Sequence, residues 1–121
     1  MRSCMNETYL RVASVVAETL DVDADELNAR TNLLGDLSAD SLDLLDVLFR
    51  LEKEFGLSIE REDIFPTAIF DARVKEREAV LRDAYPFYTE PIPEDPRELV
   101  TVGFISRFIG YRLSAKGGVT A

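Results

Sequence analysis

Residues 35–55, GDLSADSLDLLDVLFRLEKEF, decide the fold of this 121-residue chain. A polar loop gives way at Ser41 to a run in which Leu44, Leu48, Leu51 and Phe55 recur with helical spacing, so an amphipathic helix is predicted over 41–55. Leu45 is predicted to widen the buried stripe. Gly56 follows at the position where a helix often ends in the left-handed conformation.

Ser41 is predicted to lie on the first turn of this helix, outside any core. Asp40 is a good N-cap residue, and Asp43 stands three positions on, close to a capping-box arrangement. The first turn has backbone N–H groups without intrahelical partners and a partial positive charge, so it favours a phosphate ester. The alternative is that Asp40 and Ser41 are only a cap and a polar neighbour.

The second helix also carries apolar residues away from its core stripe. Leu42, Phe49 and Val47 are predicted to lie off the core, interleaved with Asp43, Asp46 and Glu52. Such a mixed apolar and acidic surface is typical of a docking site, although isolated exposed apolar residues are common.

The segment from Thr31 to Ile64 resembles the acyl carrier protein family. Asp40-Ser41-Leu42 matches the family's Asp-Ser-Leu signature, and the flanking runs Leu34–Leu37 and Leu51–Leu57 also match. Ser38 departs from the pattern, because the family usually has glycine there. The run from Ser41 to Phe49 is similar to that of carriers that resemble the long-chain acyl carrier of lipid A assembly. This similarity implies a specialised bacterial member of the family with an insertion before the last helix.

The resemblance implies a covalent 4′-phosphopantetheine on Ser41, with Asp40 and Leu42 beside it, and an acyl thioester on the arm. It implies that the residues facing partner enzymes are Leu42, Asp43, Asp46, Phe49 and Glu52. The implied partners are a phosphopantetheinyl transferase (holo-acyl carrier protein synthase) and acyl-processing enzymes, such as ketosynthases and acyltransferases, with basic docking patches.

Composition argues against an enzyme. The chain has no histidine and a single cysteine, Cys4, so histidine-based catalysis, most zinc sites and an internal disulfide are excluded. No catalytic residue and no metal site are therefore predicted. The acidic run that begins at Asp21 lacks the glycine and glutamate of a calcium loop, having Glu26 and Asn32 there.

The negative charge lies in the first half of the chain. Residues 1–66 hold 15 acidic and 6 basic side chains, whereas residues 67–121 hold 8 of each. An acidic surface steers basic partners and repels nucleic acid. With no secretory signal and no apolar run long enough for a membrane span, a cytoplasmic monomer is expected, without nucleic acid or membrane insertion.

The fold is predicted to be all-α: an acyl-carrier-like four-helix bundle with an additional helix in an insertion before the last helix. One domain spans 1–121, with helices at 6–20, 41–55, 61–65 and 102–113 and the insertion at about 67–98. Asn6 and Thr101 are predicted N-caps, and Leu27, Leu33, Leu34 and Leu37 are expected to pin the long loop over 21–40. The predicted core is Leu10, Val15, Leu45, Leu48, Leu51, Phe55, Ile105 and Ile109.

The insertion is predicted to form a helix over 68–84 followed by a proline-rich segment over 85–98 without regular structure. Its apolar residues Tyr85, Phe87, Tyr88 and Ile92 are predicted to pack on the flank of the last helix that carries Phe104, Phe108 and Tyr111. Three roles are open: it enlarges an interior that shelters the acyl chain, it docks a dedicated enzyme, or it is inert.

Three alternatives to an acyl carrier also remain. A peptidyl or aryl carrier of a nonribosomal pathway would share the serine and the arm, but usually has a less acidic second helix. The others are an enzyme and a helical interaction module that never carries the arm.

Overall fold

The protein is all-α, as predicted. A computed structural model describes residues 3–64, 76, 79, 81–83, 85–91, 93 and 95–115. Within these, the helices are α1 (Ser3–Leu20), α2 (Ser41–Phe55), α3 (Arg61–Ile64) and α4 (Val102–Ala115), with 3-10 turns at Ala24–Glu26 and Pro96–Leu99. The β-type pairing described there is a single bridge between Asn32 and Thr101.

The core lies where α1 packs against α2 and α4. Each of the three helices contributes a seam of buried side chains, and the predicted core residues Val15, Leu48, Leu51, Ile105 and Ile109 all lie in these seams. Burying such side chains stabilises the fold by about 1.5–3 kcal/mol each. The α2 seam consists of Leu44, Val47, Leu48 and Leu51, with the i, i+3, i+4, i+7 spacing of one helix face.

Two predicted core residues are wrong, and one residue predicted off the core is buried. Leu10 is 63% exposed because it lies at the edge of the buried face of α1, and Leu45 is 42% exposed because the α2 seam is too narrow to include it. Val47 is 1% exposed and belongs to the seam. Phe55 is half-buried, with the Arg11 guanidinium 4.5 Å from its ring centre.

The helix boundaries agree with prediction at both ends of α2 and at the starts of α3 and α4. Helix α4 continues to Ala115, two residues beyond its predicted end, and residue 65, the predicted end of α3, lies outside the described residues. Helix α2 has the predicted bounds, and α4 begins at Val102 after Thr101, whose hydroxyl accepts from the Phe104 N–H at 3.0 Å. Helix α1 starts at Ser3. The predicted cap Asn6 is therefore an internal residue of that helix.

The loop over 21–40 is pinned by its leucines and by backbone bonds to the chain around α4. Leu27 and Leu33 are buried, and Leu34 and Leu37 are half-buried, as predicted. Leu33 N–H donates to the Val100 carbonyl at 2.9 Å, and Val102 and Gly103 donate to the carbonyls of Thr31 and Ala29, each at 3.0 Å. These bonds fix the path of the chain that leads into α2.

Aromatic residues from the predicted insertion pack on α4. The Tyr85 ring lies 4.9 Å from that of Phe104 and 6.3 Å from that of Phe108, and the Phe87 ring lies 5.5 Å from that of Tyr111. The packing predicted for this flank of α4 is therefore confirmed. We call this group of rings, together with Tyr88, the aromatic cluster.

Two arginines fix the backbone of the segment that supplies the cluster. Arg82 donates to the carbonyls of Tyr88 at 2.6 Å and Glu90 at 3.0 Å, and Arg107 donates to the Phe87 carbonyl at 2.6 Å. Hydrogen bonds to charged donors are stronger than neutral ones, so these contacts hold the segment in one path.

The rest of the predicted insertion is described only in part. The helix predicted over 68–84 lies mostly outside the described residues, of which 76, 79 and 81–83 are helical, and Ile92 also lies outside them. The 3-10 turn Pro96–Leu99 overlaps the end of the segment 85–98, which was predicted to have no regular structure, and the carboxylate of its N-cap Asp95 accepts from the Arg97 N–H. None of the described helices is long and apolar enough to cross a membrane.

Candidate functional site

Ser41 is the first residue of α2, as predicted, and Asp40 is its N-cap. The structure describes the backbone of Ser41 and not its side chain. The preceding residues Asp36, Ser38 and Asp40 are exposed, so the backbone reaches position 41 along the surface of the domain.

A full capping box starts the helix. The Asp40 carboxylate accepts from the Asp43 N–H at 2.9 Å, and the Asp43 carboxylate accepts from the Asp40 N–H at 3.1 Å. The N–H of Asp43, the third helical residue, donates within the capping box. The N–H groups of Ser41 and Leu42, the first two helical residues, have no intrahelical acceptor and take no part in the box. A phosphate ester at position 41 would find these donors and the positive end of the helix.

The loop before Ser41 contains a strained residue. Ser38 has φ = 56°, in the left-handed region. This explains in physical terms why the carrier pattern favours glycine there, since a side chain in that region costs about 1 kcal/mol or more. The departure noted in the sequence therefore places a strained residue in this loop.

Beyond Ser41, α2 exposes a strip of large apolar side chains. Leu42 is 75% exposed, Leu45 42% and Phe49 64%, and their i, i+3, i+7 spacing places them on one side of the helix. We call these three residues the exposed strip. Leu42 and Phe49 were predicted to lie on this surface, whereas Leu45 was predicted in the core, although its i, i+3, i+7 spacing with the other two groups all three.

The acidic residues predicted to face partners differ in their surroundings. Asp46 is exposed and pairs with Arg50 at 3.4 Å, a surface contact of small energetic value. Asp43 is half-buried, and its carboxylate accepts from the Asp40 N–H in the capping box. Glu52 is half-buried and accepts from the Ile59 N–H at 2.8 Å, so it also ties the chain after α2 to the helix.

A groove of about 550 Å³ runs beside the exposed strip. Its apolar lining residues are Leu45, Leu48, Phe49 and Ile59, and its acidic ones are Asp46, Glu52 and Glu60. Position 41 precedes Leu45 by four residues, so the two share one face of α2 about 6 Å apart along the axis. The groove therefore begins one helical turn from Ser41. Ile59 and Glu60 were not predicted to belong to this surface, because they follow the end of α2 and no motif marks them.

Within the part of the chain that the structure describes, no group of three or more acidic or cysteine side chains could hold a metal ion. The acidic loop after α1 instead forms the 3-10 turn Ala24–Glu26, closed by the Leu27 N–H bonding to the Ala24 carbonyl.

A small helical domain with a serine at an exposed helix start and an apolar, acidic face beside it has the geometry of a carrier domain. The family model described as a phosphopantetheine attachment site matches residues 11–68. An acyl carrier protein of Treponema pallidum subsp. pallidum is 36% identical over 83 residues, which cover 69% of this chain and 92% of that protein. The chain belongs to the acyl carrier protein family, whose prosthetic group is 4′-phosphopantetheine.

Two further relatives match a shorter segment. The acyl carrier protein AcpXL of Mesorhizobium japonicum is 38% identical over 58 residues, and that of Brucella melitensis is 40% identical over the same length. Each alignment covers 48% of this chain and 62% of the relative. The match therefore spans less than two thirds of these AcpXL proteins.

Proposed function

We propose that the protein is an acyl carrier whose 4′-phosphopantetheine arm is joined to the hydroxyl of Ser41. The position of Ser41, at the exposed start of α2 inside the segment matched by the attachment-site model, carries this proposal. The arm supplies a terminal thiol that holds an acyl group as a thioester. The protein itself makes and breaks no bonds of the cargo, and its relatives are named as carriers.

The surroundings of Ser41 fit such an arm. The exposed loop leaves room for a large group, and the N–H groups of Ser41 and Leu42, which have no intrahelical acceptor, could donate to a phosphate oxygen. The carboxylates of Asp40 and Asp43 are bound within the capping box, yet they keep negative charge at the same place. They favour an arm that extends away from the surface over one held tightly to it.

Intact-mass measurement tests the attachment. After incubation with coenzyme A and a broad-specificity phosphopantetheinyl transferase, the protein should gain the mass of one phosphopantetheine. Ser41→Ala should gain nothing, whereas Ser38→Ala, three residues earlier in the same loop, should be modified like the parent. No gain in the parent, or a gain that persists in Ser41→Ala, would reject Ser41 as the attachment site and leave a helical module without an arm.

The exposed strip and the acidic residues around it are proposed to dock the transferase and acyl-processing enzymes. Leu42, Leu45 and Phe49 would lose their contact with water on binding and supply apolar contact. The negative charge of Asp46 would attract a basic partner. Phe49→Ala should lower kcat/KM of the transferase about tenfold or more. Leu10→Ala, also an exposed apolar residue but on α1, is the matched control and should have no effect. Equal effects of the two variants would contradict docking at the strip.

The groove beside the strip is proposed to receive the acyl chain. It starts one turn from Ser41, and four of its seven lining residues, Leu45, Leu48, Phe49 and Ile59, are apolar. The relatives named as acyl carriers and the acidic face of α2 favour an acyl group over a peptidyl or aryl group. Mass spectrometry of the protein recovered from its native host would identify the cargo and so distinguish fatty acid, lipid and polyketide-type pathways.

The single domain with an insertion at about 67–98 remains part of this proposal. The attachment-site model ends at residue 68, where the predicted insertion begins, and this supports it.

A further inference from the structure

The chain that forms one wall of the groove, residues 57–64, is held from three directions. From α2, the Glu52 carboxylate accepts from the Ile59 N–H at 2.8 Å. From α4, Arg112 donates to the Ser58 carbonyl at 2.6 Å and to the Asp63 carboxylate at 3.2 Å. We call residues 57–64 the groove wall, since Ile59 and Glu60 line the groove.

The third tie comes from the aromatic cluster. The Tyr85 hydroxyl donates to the Asp63 carbonyl at 2.8 Å, although the two residues are 22 positions apart. The Tyr85 side chain is 2% exposed and its ring packs edge-on against Phe104. A hydrogen bond from a buried and tightly packed side chain is a rigid contact, because its donor cannot turn to water instead.

Asp63 accepts hydrogen bonds from both Tyr85 and Arg112, which lie far from it in the chain. Its carbonyl accepts from Tyr85, while its carboxylate accepts from Arg112 and from the Glu60 N–H at 2.9 Å. Arg112 is itself held over the Phe108 ring, 5.2 Å from its centre. The wall is therefore connected through Asp63 to α4 and to the segment before it.

We propose that Tyr85 and Arg112 are positioning residues that brace the groove wall through Asp63 and thereby slow the exit of the acyl chain from the groove. The described part of α3, Arg61–Ile64, is a single helical turn, and the hydrogen bonds of one turn hold it weakly. Contacts from outside the wall must then set how often it opens. The effect on cargo rests on the proposed carrier function, whereas the brace itself does not.

Hydrogen exchange on the unmodified protein tests the brace. Tyr85→Phe removes the hydroxyl that donates to the Asp63 carbonyl. Arg112→Lys keeps the positive charge but cannot donate to the Asp63 carboxylate and the Ser58 carbonyl at the same time. Each should speed amide exchange in residues 57–64 about fivefold, the effect of losing one or two hydrogen bonds on a local opening. Tyr111→Phe, which removes an exposed hydroxyl from the same helix as Arg112, is the control and should change nothing. Unchanged exchange in Tyr85→Phe and Arg112→Lys would overturn the brace.

Thioester lifetime tests the consequence for cargo. The parent and Tyr85→Phe are loaded with decanoyl or acetyl groups from the corresponding coenzyme A esters and a broad-specificity transferase. In water the thioester ends by hydrolysis, which breaks its C–S bond and gives the carboxylic acid and the free thiol of the arm. Faster opening should expose the decanoyl thioester to water more often and shorten its lifetime about threefold relative to the acetyl thioester, because an acetyl group is too short to enter the groove. An unchanged ratio alongside faster exchange would overturn the role in cargo retention.

The two proposals fail separately. If the parent protein loads no acyl group at all, the carrier function is wrong, and with it the role in cargo retention. The exchange measurement still decides the brace, since it needs neither the arm nor the acyl group.

Discussion

Asn32 joins the loop that leads to Ser41 to the backbone at Arg97, because its side-chain amide donates to the Arg97 carbonyl at 3.1 Å. Its side-chain oxygen accepts from the N–H groups of Leu34 and Gly35, at 2.9 and 2.8 Å. One side chain thus shapes the turn before α2 and anchors it 65 residues further along the chain.

Replacing Asn32 should loosen both segments. Asn32→Ala removes three described hydrogen bonds and should lower the free energy of unfolding by about 2–3 kcal/mol. Asn32→Asp keeps the acceptor and should lose less. Urea denaturation measures the change, with Asn28→Ala as the control, because the Asn28 side chain makes one local bond, to the Arg30 N–H. A loss no larger than in the control would show that the anchor contributes little.

Ser38→Gly should stabilise the protein. Glycine removes the left-handed strain at φ = 56° but loses more backbone entropy on folding, for a net gain of about 0.5 kcal/mol. The same change at Ser14, an exposed position inside α1, should destabilise by a similar amount, because glycine is a poorer helix former than serine. Thermal unfolding of the two variants should therefore shift in opposite directions, and a shift in the same direction would be inconsistent with strain at Ser38.

Gly103→Ala should destabilise the protein by about 1–3 kcal/mol through a steric clash. A methyl group at this position would lie 2.8 Å from the Ala29 carbonyl oxygen and 2.9 Å from the Ala29 side chain. Gly35→Ala is the control, since its methyl group would meet the Asn32 side-chain oxygen at an ordinary 3.7 Å. If guanidinium denaturation gives the same midpoint for both variants, the loop is able to move away from α4.

Stability should fall above pH 10 because of Tyr85. Burial raises the pKa of its phenol, and the negative charge of Asp63 raises it further. A folded-state pKa above the unfolded value of about 10 stabilises the protein fully below that pH, and this stabilisation is lost as the pH rises. The free energy of unfolding should then drop by up to about 1.4 kcal/mol per pH unit from this residue. Burial, followed by the charge of Glu90, also raises the pKa of Tyr88, which adds to the slope.

Denaturation at about pH 9 to 11.5, a range that brackets the ordinary tyrosine pKa, measures this slope. Tyr85→Phe should flatten it. Phe87→Leu disturbs the same aromatic cluster without removing an ionisable group, so it should lower stability at every pH and keep the parent slope. A Tyr85→Phe slope equal to that of the parent would assign the alkaline loss to other groups.

Local sequence signals predicted the parts of the fold that depend on local contacts. Helical periodicity and Gly56 give the bounds of α2, and Asp40 and Asp43 form the capping box that their spacing predicts. Thr101 likewise starts α4. These features involve residues within a few positions of each other, so the sequence displays them directly.

The features that could not be predicted from the sequence depend on contacts between residues that are far apart in the chain. The core assignment of Leu45 failed because the width of a buried stripe depends on which helices lie against it. The anchor at Asn32 and the tie between Tyr85 and Asp63 join residues 65 and 22 positions apart, and no periodicity marks them. Ser41 could be singled out from its motif, but the groove beside it depends on where Ile59 folds back.

The aromatic cluster packs on the flank of α4 that carries Phe104, Phe108 and Tyr111. Leu42, Leu45 and Phe49 are three of the five large apolar side chains exposed among the described residues, and they lie together on α2. Enzymes that recognise this one patch would have to compete for it. If the protein is the carrier proposed above, only one enzyme can bind it at a time. Each enzyme must then dissociate before the next one in the pathway can reach the cargo.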